Sequence, residues 1–430
     1  MGKGARMRRA LAAAVGVSAL ALVSACGGGS SADTGSGGSS GGDVTLEFSQ
    51  WWEPELPAGE LRGLMDDFEA KNPGIKVKLL SGPYASTKEQ VTAGAASGTM
   101  SDVVGLDGAW VNEFHDQNAL ADLSGLMKDA GYDDSQLASQ VKVDGSTYMI
   151  PVVNFAYMMF TNDDLLAQAG VAEPPSTRTE FAADAKAITA GGKASGWILP
   201  LSLDAPNGVQ NDVMSWNWAS GGSMLKDGKP DLTNADVTST IDYVNELNKA
   251  GVLAPGTATL KEQDKVEEFT NGRVGMMIDS LAHINTIRKD APNLKFTVSA
   301  IPAKDGYTGK RGVPYASWGI GVAENSKHKA QAFKLVEYLL SAETNGKLAT
   351  AANAFPGNKT AVPDYVKNDA SFKQAFDVWS AGTPANEFVG LPVAETLMRD
   401  LGEQLQLELQ GSQDTATTLK NAQAAWMKEF

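Results

Sequence analysis

Short stretches of this chain set aromatic rings beside carboxylates. Trp51 and Trp52 are followed directly by Glu53, and Asp107 is followed three residues later by Trp110, with Tyr84 between the two stretches. A flat ring covers an apolar face of a ligand, and an ionised carboxylate accepts hydrogen bonds from a hydroxyl rim, each worth about 1.5–3 kcal/mol. Rings with carboxylates also hold cations. Neutral polyols and ammonium-bearing molecules fit that chemistry. Oxyanions would instead call for helix N-termini and basic side chains.

Catalytic and metal chemistry are weakly marked. His115, His283 and His328 are the only histidines, and none has a HExxH partner or metal-ligand spacing, so neither a metal nor a cofactor is expected. The match to GxSxG at Gly38–Gly42 lies in low-complexity sequence with no strand before it, and Gly319-Ile320-Gly321 lacks the third glycine of a phosphate fingerprint. Glu53, Asp107 and Asp279 could pair as glycosidase carboxylates, but no spacing argues for it. The chain is not expected to be an enzyme. A secreted glycoside hydrolase is the alternative from another class.

The elements that must position these residues follow from periodicity. Val44, Leu46 and Phe48 alternate as a strand, Leu61, Leu64, Met65 and Phe68 repeat at helical spacing, and Ile75, Val77 and Leu79 form a second strand. A helix from about 88 to 96 then leads into the short apolar strand ending at Asp107. Strand, helix and strand in this order imply parallel pairing in an α/β lobe. Ligands of open parallel sheets bind beyond the carboxyl ends of the strands, so Trp51-Trp52 and Asp107 with Trp110 are expected at one sheet edge. Alternation sends Trp51 and Trp52 opposite ways, one to the core and one to the cleft, without saying which. Residues 148–160 read as one running strand, Val274–Ile278 and Trp318–Val322 as two more, and a helical region closes the chain.

The ends and the charge bound the setting. Lys3, Arg6, Arg8 and Arg9 precede a short apolar run, Ala10–Leu22, which reads as a secretory signal over 1–25. Val23-Ser24-Ala25-Cys26 resembles a lipobox, with Cys26, the only cysteine, as the lipidated residue. A Gly/Ser tether then reaches residue 42, with a coil dimension of about 20–24 Å. Acidic groups outnumber basic ones, 51 to 36, and removal of the signal makes the chain more negative still. That excess argues against a nucleic-acid partner or an anionic lipid surface as ligand.

Four stretches in order resemble the extracellular solute-binding proteins of ABC importers, in the carbohydrate-binding branch related to maltose-binding protein. They are FEAKNPGIKVKLL (68–80), SGTMSDVVGLDGAWVNEF (97–114), IPVVNFAYMMFTNDDLLAQAGV (150–171) and GIGVAENSKHKAQAFKLVEYLLS (319–341). The resemblance implies an α/β, two-lobe periplasmic-binding-protein-like fold with a ligand cleft between lobes and a multi-strand hinge. Lobe one would be 43–153 plus 320–358, and lobe two 157–317 plus 361–430.

It also implies further site residues. Trp318 is similar in position to the family's cleft aromatics, and Phe355 lies in a segment resembling a loop that borders the site. Asn154 and Tyr157 stand beside the first crossing, Asp279 follows a strand, and Trp216 and Trp218 lie in a stretch read as helical. Where many relatives carry an aromatic after that aspartate, this chain has Ser280-Leu281-Ala282-His283, which weakens transfer of any one sugar. Trp197, Trp379 and Trp426 are assigned to packing. The implied function is extracellular binding of a sugar, an oligosaccharide by preference, for delivery to an ABC permease and its ATPase subunits by a monomer lipid-anchored on the outer face of the bacterial cytoplasmic membrane. Polyamine or peptide binding for such an importer is the alternative within the same fold.

Overall fold

A computed structural model describes residues 43–430; the signal segment, Cys26 and the tether lie outside the described residues. The alternation at the start forms the strand Val44–Gln50. Helix Glu60–Lys71 buries Leu61, Leu64, Met65 and Phe68, and the chain returns as Ile75–Ser81, parallel to the first strand. Helix Tyr84–Ser97 ends at Gly98 and leads into Val103–Leu106, which pairs in parallel on the other side of Val44–Gln50.

Two long strands carry the sheet onward. Gly312–Val322 runs antiparallel both to Val103–Leu106 and to the seventeen-residue strand Ser146–Asn162. Beyond them, Val274–Ser280 and Phe296–Ser299 pair antiparallel with Ser146–Asn162, and Ser195–Trp197 pairs in parallel with Val274–Ser280. The short segment Phe355–Pro356 returns to pair with Asn154 and Val153.

The long strands serve two lobes. One apolar core takes in Leu46, Phe68, Trp110 and Val336 and includes side chains of Ser146–Asn162 only as far as Phe155. From Ala156 and Tyr157 onward the same strand packs into two other clusters, one around Trp197, Trp216 and Leu401, the other around Phe269, Ile284 and Trp379. On Gly312–Val322 the change falls between Tyr315 and Trp318. The architecture is the two-lobe α/β fold that the resemblance implies, with strands shared across the middle.

A register shift falls between Trp318 and Gly319, just inside the first core. A Cβ on Gly319 would run into the Met149 side chain, which crosses the strand here. Helix Lys329–Leu339 lays Ala332, Phe333, Val336 and Leu339 on the first core, while the last helices, Ala394–Leu409 and Thr415–Trp426, cover the second. No helix among the described residues is long and apolar enough to cross a membrane.

Candidate functional site

The carboxyl ends of the first lobe's parallel strands gather an aromatic group. Trp51 meets Tyr84 edge-on, with centroids 5.2 Å apart, and leans on Trp110 at 5.3 Å; Tyr84 and Trp110 are 5.1 Å apart. Asp107 sits among them because it ends Val103–Leu106 and caps the turn Gly108–Trp110, one carboxylate oxygen accepting from Ala109 N at 2.9 Å. Its other oxygen accepts from the Tyr84 hydroxyl at 3.2 Å. Burial pushes the Asp107 carboxyl above the usual carboxylate range, and burial beside that carboxylate pushes the Tyr84 hydroxyl up as well.

Trp52 takes the other direction. It is wholly buried, edge-on to Phe48 and stacked flat on Trp318, which in turn meets Phe155. Of the two adjacent tryptophans, Trp51 therefore packs with Tyr84 and Trp110 beside Asp107 and Trp52 packs behind it on Trp318, both buried in the first core. Glu53 is engaged at the strand end: its backbone N donates to Gln50 Oε1 at 2.8 Å and its carboxylate accepts from the Ser81 hydroxyl. Gln50, fully buried, joins the same chain through Ser81 at 2.6 Å, a contact that sequence reading missed.

Lobe two contributes a polar network. The Tyr157 hydroxyl donates to Glu262 Oε1 at 2.8 Å and accepts from Asn211 Nδ2 at 2.9 Å. Lys265 is fully buried, with Nζ 3.3 Å from both Asp212 oxygens, 2.6 Å from the Ile278 carbonyl and 3.5 Å from Asp279. The carboxylates around it raise the Lys265 pKa above its ordinary value despite its burial. Asp279 also meets His283 Nδ1 at 2.9 Å, and that carboxylate raises the imidazole pKa against the opposing effect of burial. Asn211, Asp212, Glu262 and Lys265 were not singled out in the sequence. Lys265 carried the one usable signal, a charge in register with Phe269 on a helix whose other buried residue is Val266.

The remaining candidates are placed elsewhere. Trp216 is enclosed by Phe181, Trp197 and Tyr243, with centroids 4.8 to 5.7 Å away, so its ring packs the second core. Trp218 gives its Nε1–H to Glu387 at 2.8 Å and faces Phe388. Phe355 packs on Trp379 and Phe376. Asn154 is fully buried on the opposite face of its strand from Phe155, and neither of its amide atoms has a hydrogen-bond partner. Trp197, Trp379 and Trp426 are buried.

The two lobes meet over the aromatic group. The segment 386–395 is tied to the second core by Glu387, which accepts from Trp218 Nε1 and Met224 N, both at 2.8 Å. From there it reaches lobe one: Gly390 N donates to Gly108 O at 3.3 Å, Asn112 donates to the Gly390 carbonyl, and Glu395 pairs with Lys88 at 3.2 Å. Ala109 touches the cores of both lobes. A surface groove of about 830 Å³ beside Arg178, Lys186 and Asp242 shares no residue with this group.

Comparison with known proteins agrees with this architecture. Residues 53–346 match the family model for bacterial extracellular solute-binding proteins. A binding protein of Brucella abortus (strain 2308) is 32% identical over 310 residues, which is 70% of this chain and 74% of the relative. The diacetylchitobiose binding protein DasA of Streptomyces coelicolor is 27% identical over 388 residues, 86% of each chain. Among solved structures, the cyclic alpha-maltosyl-1,6-maltose binding protein of Arthrobacter globiformis superposes with a TM-score of 0.78 at 19% identity, over 89% of this chain and 98% of the other. The chain belongs to the bacterial extracellular solute-binding proteins.

Proposed function

We propose that this protein binds a neutral carbohydrate, an oligosaccharide by preference, between its lobes and hands it to an ABC permease with its ATPase subunits. The observation that carries this reading is the aromatic group of Trp51, Tyr84 and Trp110 closed around the Asp107 carboxylate. Rings of this kind cover the apolar faces of a pyranose while carboxylates take its hydroxyls. Tyr157, Glu262 and Asp279 supply polar groups from the facing lobe, with Glu53 and Trp318 at the edge of the first. The relatives that bind diacetylchitobiose and a cyclic maltosyl-maltose support an oligosaccharide.

In this reading lobe one is 43–153 plus 320–358 and lobe two is 157–317 plus 361–430. Ligand contacts to both lobes favour the closed arrangement, because a ligand shifts an equilibrium only by its differential affinity for the two states. The protein acts as a monomer, does not alter its ligand, and is held at the outer face of the membrane through lipidated Cys26. Replacing Cys26 with Ser then moves it from the membrane fraction to the soluble one.

A thermal-shift screen against mono- and oligosaccharides, with polyamines and peptides alongside, tests the ligand class. Ligand at one hundred times its dissociation constant adds about 2.7 kcal/mol of stability. A rise in Tm with one saccharide series supports the reading. A rise with polyamines alone overturns the sugar assignment and leaves the fold.

A further inference from the structure

We infer that a groove behind the hinge strands, on the side turned away from the aromatic group, binds a small aromatic carboxylate, and that its occupancy favours the closed lobes. Strand parity separates the two sides. Phe155 and Tyr157 share one face of Ser146–Asn162, and Phe155 there meets Trp318, which stacks on Trp52 beside Trp51. Tyr315 and Phe355, in register with Ala156 and Asn154, lie on the opposite face. Trp379 covers both rings, with centroids 6.0 and 5.3 Å away. Together with Phe376 it lines a groove of about 480 Å³. Small-molecule pockets run to roughly 300–1,000 Å³, so the space suits such a ligand.

The lining selects the ligand. Trp379, Phe376, Pro356 and Pro384 supply ring and apolar surface, on which an aromatic ring packs edge-on or offset. Lys310 and Lys359, both exposed, complete the wall, and no Asp or Glu lines the groove, although acidic residues outnumber basic ones 51 to 36 in the chain. Among the described residues neither lysine is ion-paired, and Asp377, beside Phe376 in sequence, is taken by Lys373. Lys359 gives one N–H to the Ser135 carbonyl at 3.0 Å, which leaves two for a ligand. Charge-assisted bonds to a carboxylate are the stronger kind. An aromatic body with one negative end satisfies rings and lysines together, whereas a neutral saccharide brings no charge for them.

The two walls belong to different lobes. Asn358, on one wall, is tied to the first core: its N donates to Asn345 Oδ1 at 2.9 Å and its Nδ2 to the Leu340 carbonyl at 2.8 Å. Trp379, on the other, belongs to the cluster around Phe269 and Ile284. The hinge strands run between this groove and the front contact of Gly390 with Gly108. A rotation about those strands that parts Gly390 from Gly108 brings the rear walls together. A molecule filling the groove resists that rotation and raises the population of the closed arrangement. By linkage, a saccharide in the cleft tightens the groove by the same factor. The coupling rests on saccharide binding between the lobes; the groove as a site does not.

Isothermal titration of phenylacetate, and of its neutral counterpart phenylacetamide, into the full chain carrying Cys26→Ser tests the site without any saccharide. One equivalent of phenylacetate is expected to bind. Phenylacetamide in the parent, and phenylacetate in a Lys310→Gln, Lys359→Gln double variant, should each bind about tenfold or more weakly. Both lysines are exposed, so the variant is expected to fold, and circular dichroism checks it. No binding of phenylacetate, equal binding of the amide, or equal binding in the variant overturns the site. The saccharide identified by thermal shift is then titrated with and without saturating phenylacetate. Its dissociation constant should fall about fivefold or more in the parent and stay unchanged in the lysine variant. An unchanged constant in the parent overturns the coupling. If no saccharide binds, the sugar reading fails, while the phenylacetate titration still decides the groove.

Discussion

The indole of Trp52 lies flat against that of Trp318, with centroids 5.6 Å apart and planes 7° from parallel. The stack joins the end of lobe one's first strand to the strand that returns from lobe two, and it removes both inner faces from any ligand. Trp52 is also edge-on to Phe48 and fully buried. Trp52→Ala should therefore destabilise the protein by about 3–5 kcal/mol, as large-to-small changes of buried aromatics do. Trp51, 3% exposed in the same core, is costly to truncate too, but Trp51→Ala should in addition weaken saccharide binding. Urea unfolding and calorimetric titration of the two variants separate the roles; a Trp52→Ala protein as stable as the parent contradicts the assignment.

Gly108 faces Val389 across the junction of the lobes. A Cβ at Gly108 would stand 2.7 Å from Val389 Cγ1, closer than real contacts allow. Gly108→Val should prop the lobes apart and lower the fraction of molecules in the closed arrangement. Apparent affinity falls in proportion to that fraction, so a loss of about tenfold corresponds to 1.4 kcal/mol against closure. Val389→Ala in the same chain should restore part of the affinity. Titration of saccharide into the single and double variants reads this directly, and an unchanged dissociation constant in Gly108→Val rules the contact out as a determinant of closure.

Much of this was legible in order along the chain, for identifiable reasons. Alternation at Val44, Leu46 and Phe48, and the apolar run ending at Asp107, marked strands whose carboxyl ends gather Trp51, Tyr84, Asp107 and Trp110. The running strand read over 148–160 is the core of Ser146–Asn162. Strand parity separates Asn154 from Phe155 but does not say which face meets the cleft. Trp216 could not be placed because its neighbours Phe181, Trp197 and Tyr243 come from three separate elements. The Lys265 network was hidden for the same reason, since Asp212, Glu262 and Asp279 converge only in the fold.

That network gives a prediction about stability. Lys265→Met would leave Asp212 and Asp279 buried without their counter-charge, a change that costs about 3–5 kcal/mol. In the parent, the raised Lys265 pKa keeps the lysine charged throughout pH 5 to pH 8, while burial pushes the Asp212 carboxyl up to about 8 even beside it. In the variant, the unpaired carboxylates favour protonation, so stability should return as pH falls toward their ordinary values. Guanidinium unfolding at pH 8 and pH 5 should show the larger deficit at pH 8. An equal deficit at both would mean that the loss is one of packing and not of charge.

Glu408 makes the opposite case, a carboxyl better kept neutral. It is 2% exposed, and its Oε1 lies 2.6 Å from the Thr415 hydroxyl, which is also 2.6 Å from Asp242 Oδ1. One hydroxyl proton serves one of these contacts, so the other calls for a protonated carboxyl. Burial raises the Glu408 pKa above its ordinary 4.5. A raised carboxyl contributes stability that is fully present below the unfolded value and is lost as pH rises through the folded one. Glu408→Gln keeps the shape, leaves Oε1 to accept from Asn245 Nδ2 as Glu408 does at 3.0 Å, and removes that loss. It should stabilise the protein by about 1 kcal/mol at pH 7.5 and make no difference at pH 4. Scanning calorimetry at the two pH values checks both arms, and a variant less stable at pH 7.5 would show that Glu408 is ionised in the native state and needed there.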